Sequence, residues 1–113
     1  MYSISGPLKL TVELKGEAKD AQGARAGFYT LGPTSVNGRS HWLQDSGTNA
    51  IWYDKQNGDW NIGILDDIGT SKASIYTSEN VAGPQEATTW QYHSGGKFIV
   101  SDDILVDSFK PGA

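Results

Sequence analysis

Aromatic rings and side-chain amides are the residues of this sequence best suited to recognition chemistry. A sugar stacks its apolar face on an aromatic ring, and its hydroxyl groups hydrogen-bond to amide side chains. Neighbouring residues of a strand face opposite sides, so Trp52 and Tyr53 cannot share a face. If Tyr53 and Trp60 point inward, Trp52 points outward among polar neighbours. The rings between residues 42 and 92 are Trp42, Trp52, Tyr53, Trp60, Tyr76, Trp90 and Tyr92.

This alternation predicts a candidate ligand-binding surface. Trp52, or alternatively Trp42, supplies an exposed ring, and Asn61 and Gln91 supply amides. An aromatic ring with one solvent-exposed face beside polar side chains is typical of recognition surfaces. The structural alternative is that each ring fills a small core that has few large aliphatic residues. Both interpretations stay open at the level of the sequence.

Arg39 is the basic residue set among turn and aromatic residues, in the segment NGRSHW. Its planar guanidinium would either bind an acidic group of a ligand or stabilise the fold, by stacking on Trp42 or by pairing with Asp45. The structural role is the favoured one. Gly95-Gly96 has the pattern of a hairpin turn and not that of a phosphate-binding loop.

The remaining polar residues do not indicate catalysis. His41 and His93 each have a serine as neighbour, but adjacent residues of a strand face apart and neither pair lies in a G-x-S-x-G context. The acidic residues lack the spacing of an EF-hand loop, and the chain is small for a glycosidase cleft. We therefore expect no enzyme, no metal site and no cofactor. The acidic clusters are Asp45, Asp54 with Asp59, Asp66-Asp67, and Asp102-Asp103 with Asp107.

Charge and composition argue against nucleic acid and membrane as partners of this chain. The net charge of the 113 residues is −4 and the nine Lys and Arg residues are scattered, so we expect no nucleic-acid binding. No apolar run approaches the roughly 20 residues of a spanning helix, so we expect no membrane insertion. Cysteine is absent, which excludes disulfides and thiolate zinc sites. The first residues lack the pattern of a signal peptide, and the compartment stays open.

Strand patterns recur at close spacing along the chain. Leu8, Leu10, Val12 and Leu14 alternate strictly with polar residues, and Asn-Gly pairs such as Asn57-Gly58 favour tight hairpins. We predict one all-β domain over residues 1–113, an antiparallel meander that forms a small sandwich, a barrel or a strongly twisted sheet. The predicted strands are 8–14, 28–31, 40–43, 51–54, 60–65, 72–78, 90–93, 98–100 and 104–109.

Three expectations concern the segments outside this regular pattern. Residues 17–26 contain no large apolar residue, so we predict a loop there. The segment 79–89 predicts a second long loop, with a short helical turn at most. The first and last strands are predicted to pair, because this would shield two exposed sheet edges at once.

Several short motifs together resemble a small all-β accessory module. They are VNGR at 36–39 with the tryptophan at 42, GDWNIG at 58–63, WQY at 90–92 and GGKF at 95–98. The module recurs, singly or in tandem, in large multidomain proteins of marine invertebrates and protists, and the resemblance covers residues 28–106. This chain has Ser40 where the module usually has proline and Phe98 where it usually has tryptophan. The resemblance implies an accessory module and adds no catalytic residue.

These observations lead to two hypotheses about function. The first is a non-catalytic accessory module that recognises a carbohydrate or glycan through an exposed Trp52 or Trp42 and neighbouring amides. The alternative is a self-associating scaffold module, in which strand edges and rings pack against a second copy or a protein partner.

Overall fold

The computed structural model describes residues 6–109, and an antiparallel sheet of nine strands dominates them. This confirms the predicted all-β meander. The expected tail at 110–113 and the beginning of the segment tested for a signal peptide, residues 1–5, lie outside the described residues. The strands are β1 (Lys9–Leu14), β2 (Gly27–Val36), β3 (Arg39–Gln44), β4 (Asn49–Asp54), β5 (Asp59–Ile64), β6 (Ile75–Thr77), β7 (Trp90–Ser94), β8 (Lys97–Ser101) and β9 (Ile104–Ser108).

Strands β1 to β8 lie side by side in chain order, and β9 returns to pair with β1. The predicted pairing of the first and last strands is therefore confirmed, in a register that runs from Leu10 opposite Ser108 to Leu14 opposite Ile104. The sheet curls until its two ends approach each other, which makes a nearly closed barrel. Within residues 6–109, the edges left without a strand partner are one edge of β8 and one edge of β9.

One row of side chains crosses the inner face of the sheet. Residues paired across antiparallel strands point to the same side, so the register identifies the row directly. Five of its seven members are at most 3% exposed, because the barrel encloses them. The row consists of Leu31, Trp42, Ile51, Ile62, Ile75, Tyr92 and Ile99.

A short helix, α1 (Gly16–Gln22), replaces the loop predicted between the first two strands. The prediction of a loop was wrong because it required large apolar residues on one helix face. Ala18 alone is buried, at 1% exposure, since its small side chain lets the helix lie close to the core. The side chain of Gln22 fixes the end of the helix by donating to the carbonyl oxygen of His93 at 2.8 Å.

Two strands, β2 and β6, differ from their predicted lengths by more than two residues. β2 continues through Gly32-Pro33 to Val36, because the register of its ladder with β3 shifts between Leu31 and Ser35. Such an irregularity accommodates a proline that cannot donate to the ladder. β6 has three residues only, and 72–74 belong to the preceding loop. In the second long loop the expected helical turn is the 3₁₀ turn Pro84–Glu86.

Candidate functional site

Trp52 lies on the outer face of the sheet but is fully buried, so the expectation of an exposed ring was wrong. The loop of residues 65–74 crosses over the outer face at this point. Its Thr70 carbonyl oxygen accepts a hydrogen bond from the indole Nε1 of Trp52 at 2.9 Å. Gly63 on the next strand leaves room for the indole, because a Cβ there would lie only 3.1 Å from it.

Asn61 is the neighbour of Trp52 across the β4–β5 ladder and is held by the same loop. Its amide Nδ2 donates to the Thr70 carbonyl oxygen at 3.3 Å, and the residue is 1% exposed. Trp52 and Asn61 are thus brought together as the sequence predicts. They bind the chain's own loop, which occupies the outer face where a ligand was expected.

Trp42 is also buried, but on the inner face of the sheet. Its indole Nε1 donates to the Pro7 carbonyl oxygen at 2.8 Å, and its ring centroid lies 6.1 Å from that of Trp60. Gly6 packs over the indole so closely that a Cβ would approach it to 3.0 Å. The Trp42 ring therefore packs in the hydrophobic core, which is the structural alternative named in the sequence analysis.

Arg39 has a structural role, although its partners differ from those expected. The guanidinium carbon lies 3.7 Å from the centroid of the Tyr53 ring, and the Nη1 atom donates to the Val81 carbonyl oxygen at 2.9 Å. Asp45 pairs instead with Lys9. Arg39 and Trp42 meet at a cleft of about 240 Å³, but the indoles at its base have almost no exposed surface.

The exposed aromatic surface lies elsewhere, on the outer face of β6 to β8. Tyr76 and Phe98 meet edge to face with ring centroids 4.8 Å apart, and Phe98 is 37% exposed. The ring of His93 lies 5.2 Å from that of Phe98 on its other side. A cleft of about 220 Å³ opens beside the two rings, and we call it the Tyr76–Phe98 cleft. Its lining consists of Asn57, Asp59, Asn61, Ser71, Ala73, Tyr76 and Phe98.

The register explains why these residues converge. Asn61, Tyr76 and Gln91 lie opposite one another on β5, β6 and β7, so their side chains share the outer face. Asn61 thus lines the cleft, and the half-buried Gln91 lies next to Tyr76 at its flank. The sequence analysis missed Phe98 as a site residue. The available signal was its alternation with Val100 on the last hairpin, which places both residues on one face.

A buried carboxylate orients one amide of the cleft, that of Asn57. Asp54 is 2% exposed and accepts hydrogen bonds from the backbone N–H of Gln56 and from the Nδ2 of Asn57, at 3.0 and 2.8 Å. Partial burial, followed by the proximity of Asp54, raises the pKa of Asp59 above its usual value. The cleft therefore presents fixed hydrogen-bonding groups, which is what selective recognition of a polar ligand requires.

The two histidines do not form a catalytic arrangement with each other. His41 is buried, and its Nδ1 lies 2.9 Å from the Thr34 carbonyl oxygen, whereas His93 is exposed on β7. Among residues 6–109, no three His, Asp or Glu side chains are grouped so that they could hold a metal ion.

Comparisons with family models, with curated proteins and with solved structures find no match to this chain. The resemblance to the accessory module therefore stays a prediction. Within the part of the chain that the structure describes, no helix is long and apolar enough to span a membrane.

Proposed function

We propose that this domain is a non-catalytic module that binds carbohydrate in the Tyr76–Phe98 cleft. The observation that carries the proposal is the placement of two accessible rings beside amide, carboxylate and hydroxyl groups in one small cleft. Aromatic rings provide a large contact area at low cost in conformational entropy. The resemblance to an accessory module supports the same class of function.

The hydrogen-bonding groups of the cleft favour a ligand rich in hydroxyl groups. The Nδ2 atom of the exposed Asn57 donates to Asp54, so its amide oxygen is oriented as an acceptor. Asp59 adds a carboxylate acceptor. Sugar hydroxyls can donate to both groups, whereas an anionic ligand would be repelled by Asp59. The expected ligand is therefore a neutral glycan.

The size of the cleft suits one or two sugar units. At about 220 Å³ it is smaller than the roughly 300–1,000 Å³ of pockets that enclose drug-sized ligands. A small, open site buries little of its ligand, so we expect weak binding, with a dissociation constant on the order of 1 mM for a single sugar.

A glycan array followed by NMR titration tests the proposal. Neutral oligosaccharides that the array selects should shift the side-chain amide signals of Asn57 and the backbone signals around Tyr76 and Phe98. NMR is the suitable measurement because Trp42, Trp52 and Trp60 are buried and their fluorescence would report poorly on the outer face.

A pair of phenylalanine variants supplies the matched control. Phe98→Ala should weaken binding about tenfold or more, which corresponds to about 1.4 kcal/mol. Phe28→Ala removes a ring that is 46% exposed, on strand β2 and outside the lining of the cleft, and should leave the affinity unchanged. Failure of the domain to bind any neutral glycan, or equal effects of the two variants, would contradict the proposal.

A further inference from the structure

β8 differs from the other eight strands in containing no buried residue. Phe98 and Val100 point outward and are 37% and 61% exposed. In the described sheet β8 pairs with β7 alone, and no other part of residues 6–109 forms a backbone hydrogen bond with it. Among the described residues, the second edge of β8 therefore has no backbone partner, and most of its side chains are exposed.

The hairpin geometry shows which backbone groups form this edge. Gly95 and Gly96 both have positive φ, at 60° and 81°, as in a two-residue type I′ turn. In such a hairpin the flanking pair, Ser94 and Lys97, is hydrogen-bonded, and hydrogen-bonded and non-bonded pairs then alternate along the ladder. The N–H and C=O groups of Phe98 and Val100 consequently point away from β7. His93, opposite Phe98, fits this alternation because its N–H donates to Ser74 on the far side of β7.

We propose that the edge of β8 pairs antiparallel with the same edge of a second copy of this chain. The two-fold axis would pass through Ile99, so that Phe98 of each copy lies opposite Val100 of the other. Those two pairs would form four interchain hydrogen bonds, because both residues direct their N–H and C=O groups to the edge. On the outer face each phenyl ring would pack against a valine side chain, which is a favourable cross-strand pair.

Charge and shape favour a second copy over an unrelated strand. Lys97 begins the strand and Asp102-Asp103 follow it, so antiparallel pairing brings the lysine of one copy near the acidic turn of the other. The approach is open at the hairpin, since a Cβ on Gly95 or Gly96 would meet nothing within 4 Å. The opposite end of the sheet is less accessible, because the 3₁₀ turn Pro84–Glu86 packs against β9.

Sedimentation equilibrium between about 10 µM and 1 mM protein tests this pairing. The contact joins two short strands and is smaller than a standard interface of roughly 1,600 Å², so we expect a dimer with a dissociation constant on the order of 0.1–1 mM. Val100→Pro removes one edge N–H without breaking the ladder to β7 and should weaken the dimer at least about tenfold. Val100→Thr keeps the N–H and the β-branched shape, and should change the dissociation constant less than about threefold.

The proposal is overturned if the protein stays monomeric up to 1 mM or if Val100→Pro associates as well as the unchanged chain. If Val100→Pro does not fold, amide hydrogen exchange in the unchanged chain decides the question. Protection of the Phe98 and Val100 amides that increases with protein concentration supports the pairing, and exchange independent of concentration refutes it. The pairing does not require a bound glycan, although Phe98 takes part in both proposals. Val100 does not line the Tyr76–Phe98 cleft, so the effect of Val100→Pro on association tests the pairing separately from glycan binding.

Discussion

The two faces of this sheet use aromatic residues differently. On the inner face Trp42 and Trp60 are almost completely buried, and each indole N–H donates to a backbone carbonyl oxygen, of Pro7 and Val81 respectively. On the outer face Tyr76 and Phe98 stay accessible and meet each other edge to face. Trp42 and Trp60 thus have both the ring and the N–H enclosed by the fold, whereas Phe98 keeps 37% of its surface exposed.

Trp52 shows why some aromatic rings of the outer face are buried and others are accessible. It belongs to the outer face by register, yet the loop 65–74 covers it as completely as the barrel covers Trp60. The exposure of an outer-face side chain therefore depends on whether a loop covers it, and not only on the direction in which it points. A residue's direction follows from strand alternation, whereas its exposure depends on segments distant in the chain.

Removal of an inner ring should have the largest effect on stability. We expect Trp60→Ala to lower the free energy of unfolding by about 3–5 kcal/mol, because it leaves a cavity beside Tyr53 and Trp42. Phe98→Ala, on the outer face, should cost less than about 1 kcal/mol. Urea denaturation at 25 °C measures both values. Similar losses for the two variants would show that the faces do not differ in the way described.

Arg39 should rank second, since it packs over the rings at the end of the inner face. Arg39→Ala removes the contact with Tyr53 and the hydrogen bonds to Val81 and Asn80, so we expect a loss of about 1–3 kcal/mol. Arg39→Lys should recover only part of this, because an ammonium group lacks the planar fork. Denaturation measures stability, and glycan titration should show unchanged affinity. If Arg39→Ala were fully stable but no longer bound glycan, Arg39 would be a ligand-binding residue and not a structural one.

The fold could be predicted further than the site because the fold depends on local patterns. Strict alternation in Leu8–Leu14 identified β1, and the need to shield sheet edges predicted its pairing with β9. The helix α1 was missed since a single alanine anchors it. The strand β1 and the helix α1 were thus predicted or missed on their own residues, whereas the pairing of β1 with β9 followed from the general rule that sheet edges are shielded.

The site depends on contacts between distant segments, and sequence patterns do not show them. Alternation placed Trp52 on the outer face, but nothing in its vicinity indicated that the Thr70 carbonyl oxygen would accept its N–H. Arg39 was expected to be structural, and its partners Val81 and Asn80 lie more than forty residues away. Phe98 was overlooked because ring type, and not accessibility, was used to choose the candidates.

A smaller effect should follow from loosening the loop over Trp52. Trp52→Phe keeps a ring on the outer face but removes the donor to the Thr70 carbonyl oxygen, so we expect a loss of about 1–2 kcal/mol. Asn61→Ala removes the second donor to the same oxygen, and the two changes should be non-additive. Denaturation of both single variants and the double variant gives the coupling. Limited proteolysis should show faster cleavage within 65–74, whereas Ile64→Ala, at an exposed position before the loop, should not change it.

The smallest effect should be the dependence of stability on pH through Glu79. Its carboxylate accepts hydrogen bonds from the backbone N–H groups of Thr89 and Thr88, at 2.6 and 2.8 Å, and these bonds lower its pKa. A lowered pKa means that the stabilisation is fully present above the unfolded value of about 4.3 and is lost as the pH falls through the folded value. Glu79→Gln should therefore lower Tm most above about pH 5, and the difference from the unchanged chain should shrink toward pH 3.

Asp59 on the outer face should affect stability in the opposite direction to Glu79: its ionised form should destabilise the fold. Burial and the nearby Asp54 raise the pKa of Asp59, so its ionised form destabilises the fold above the folded pKa. Asp59→Asn should raise Tm at neutral pH, and this gain should fade as the pH falls through that value. Thermal unfolding of the two variants from pH 3 to 7 measures both trends, with Glu86→Gln as an exposed control. If the two differences changed with pH in the same direction, the hydrogen bonds to Glu79 or the burial of Asp59 would be wrongly assigned.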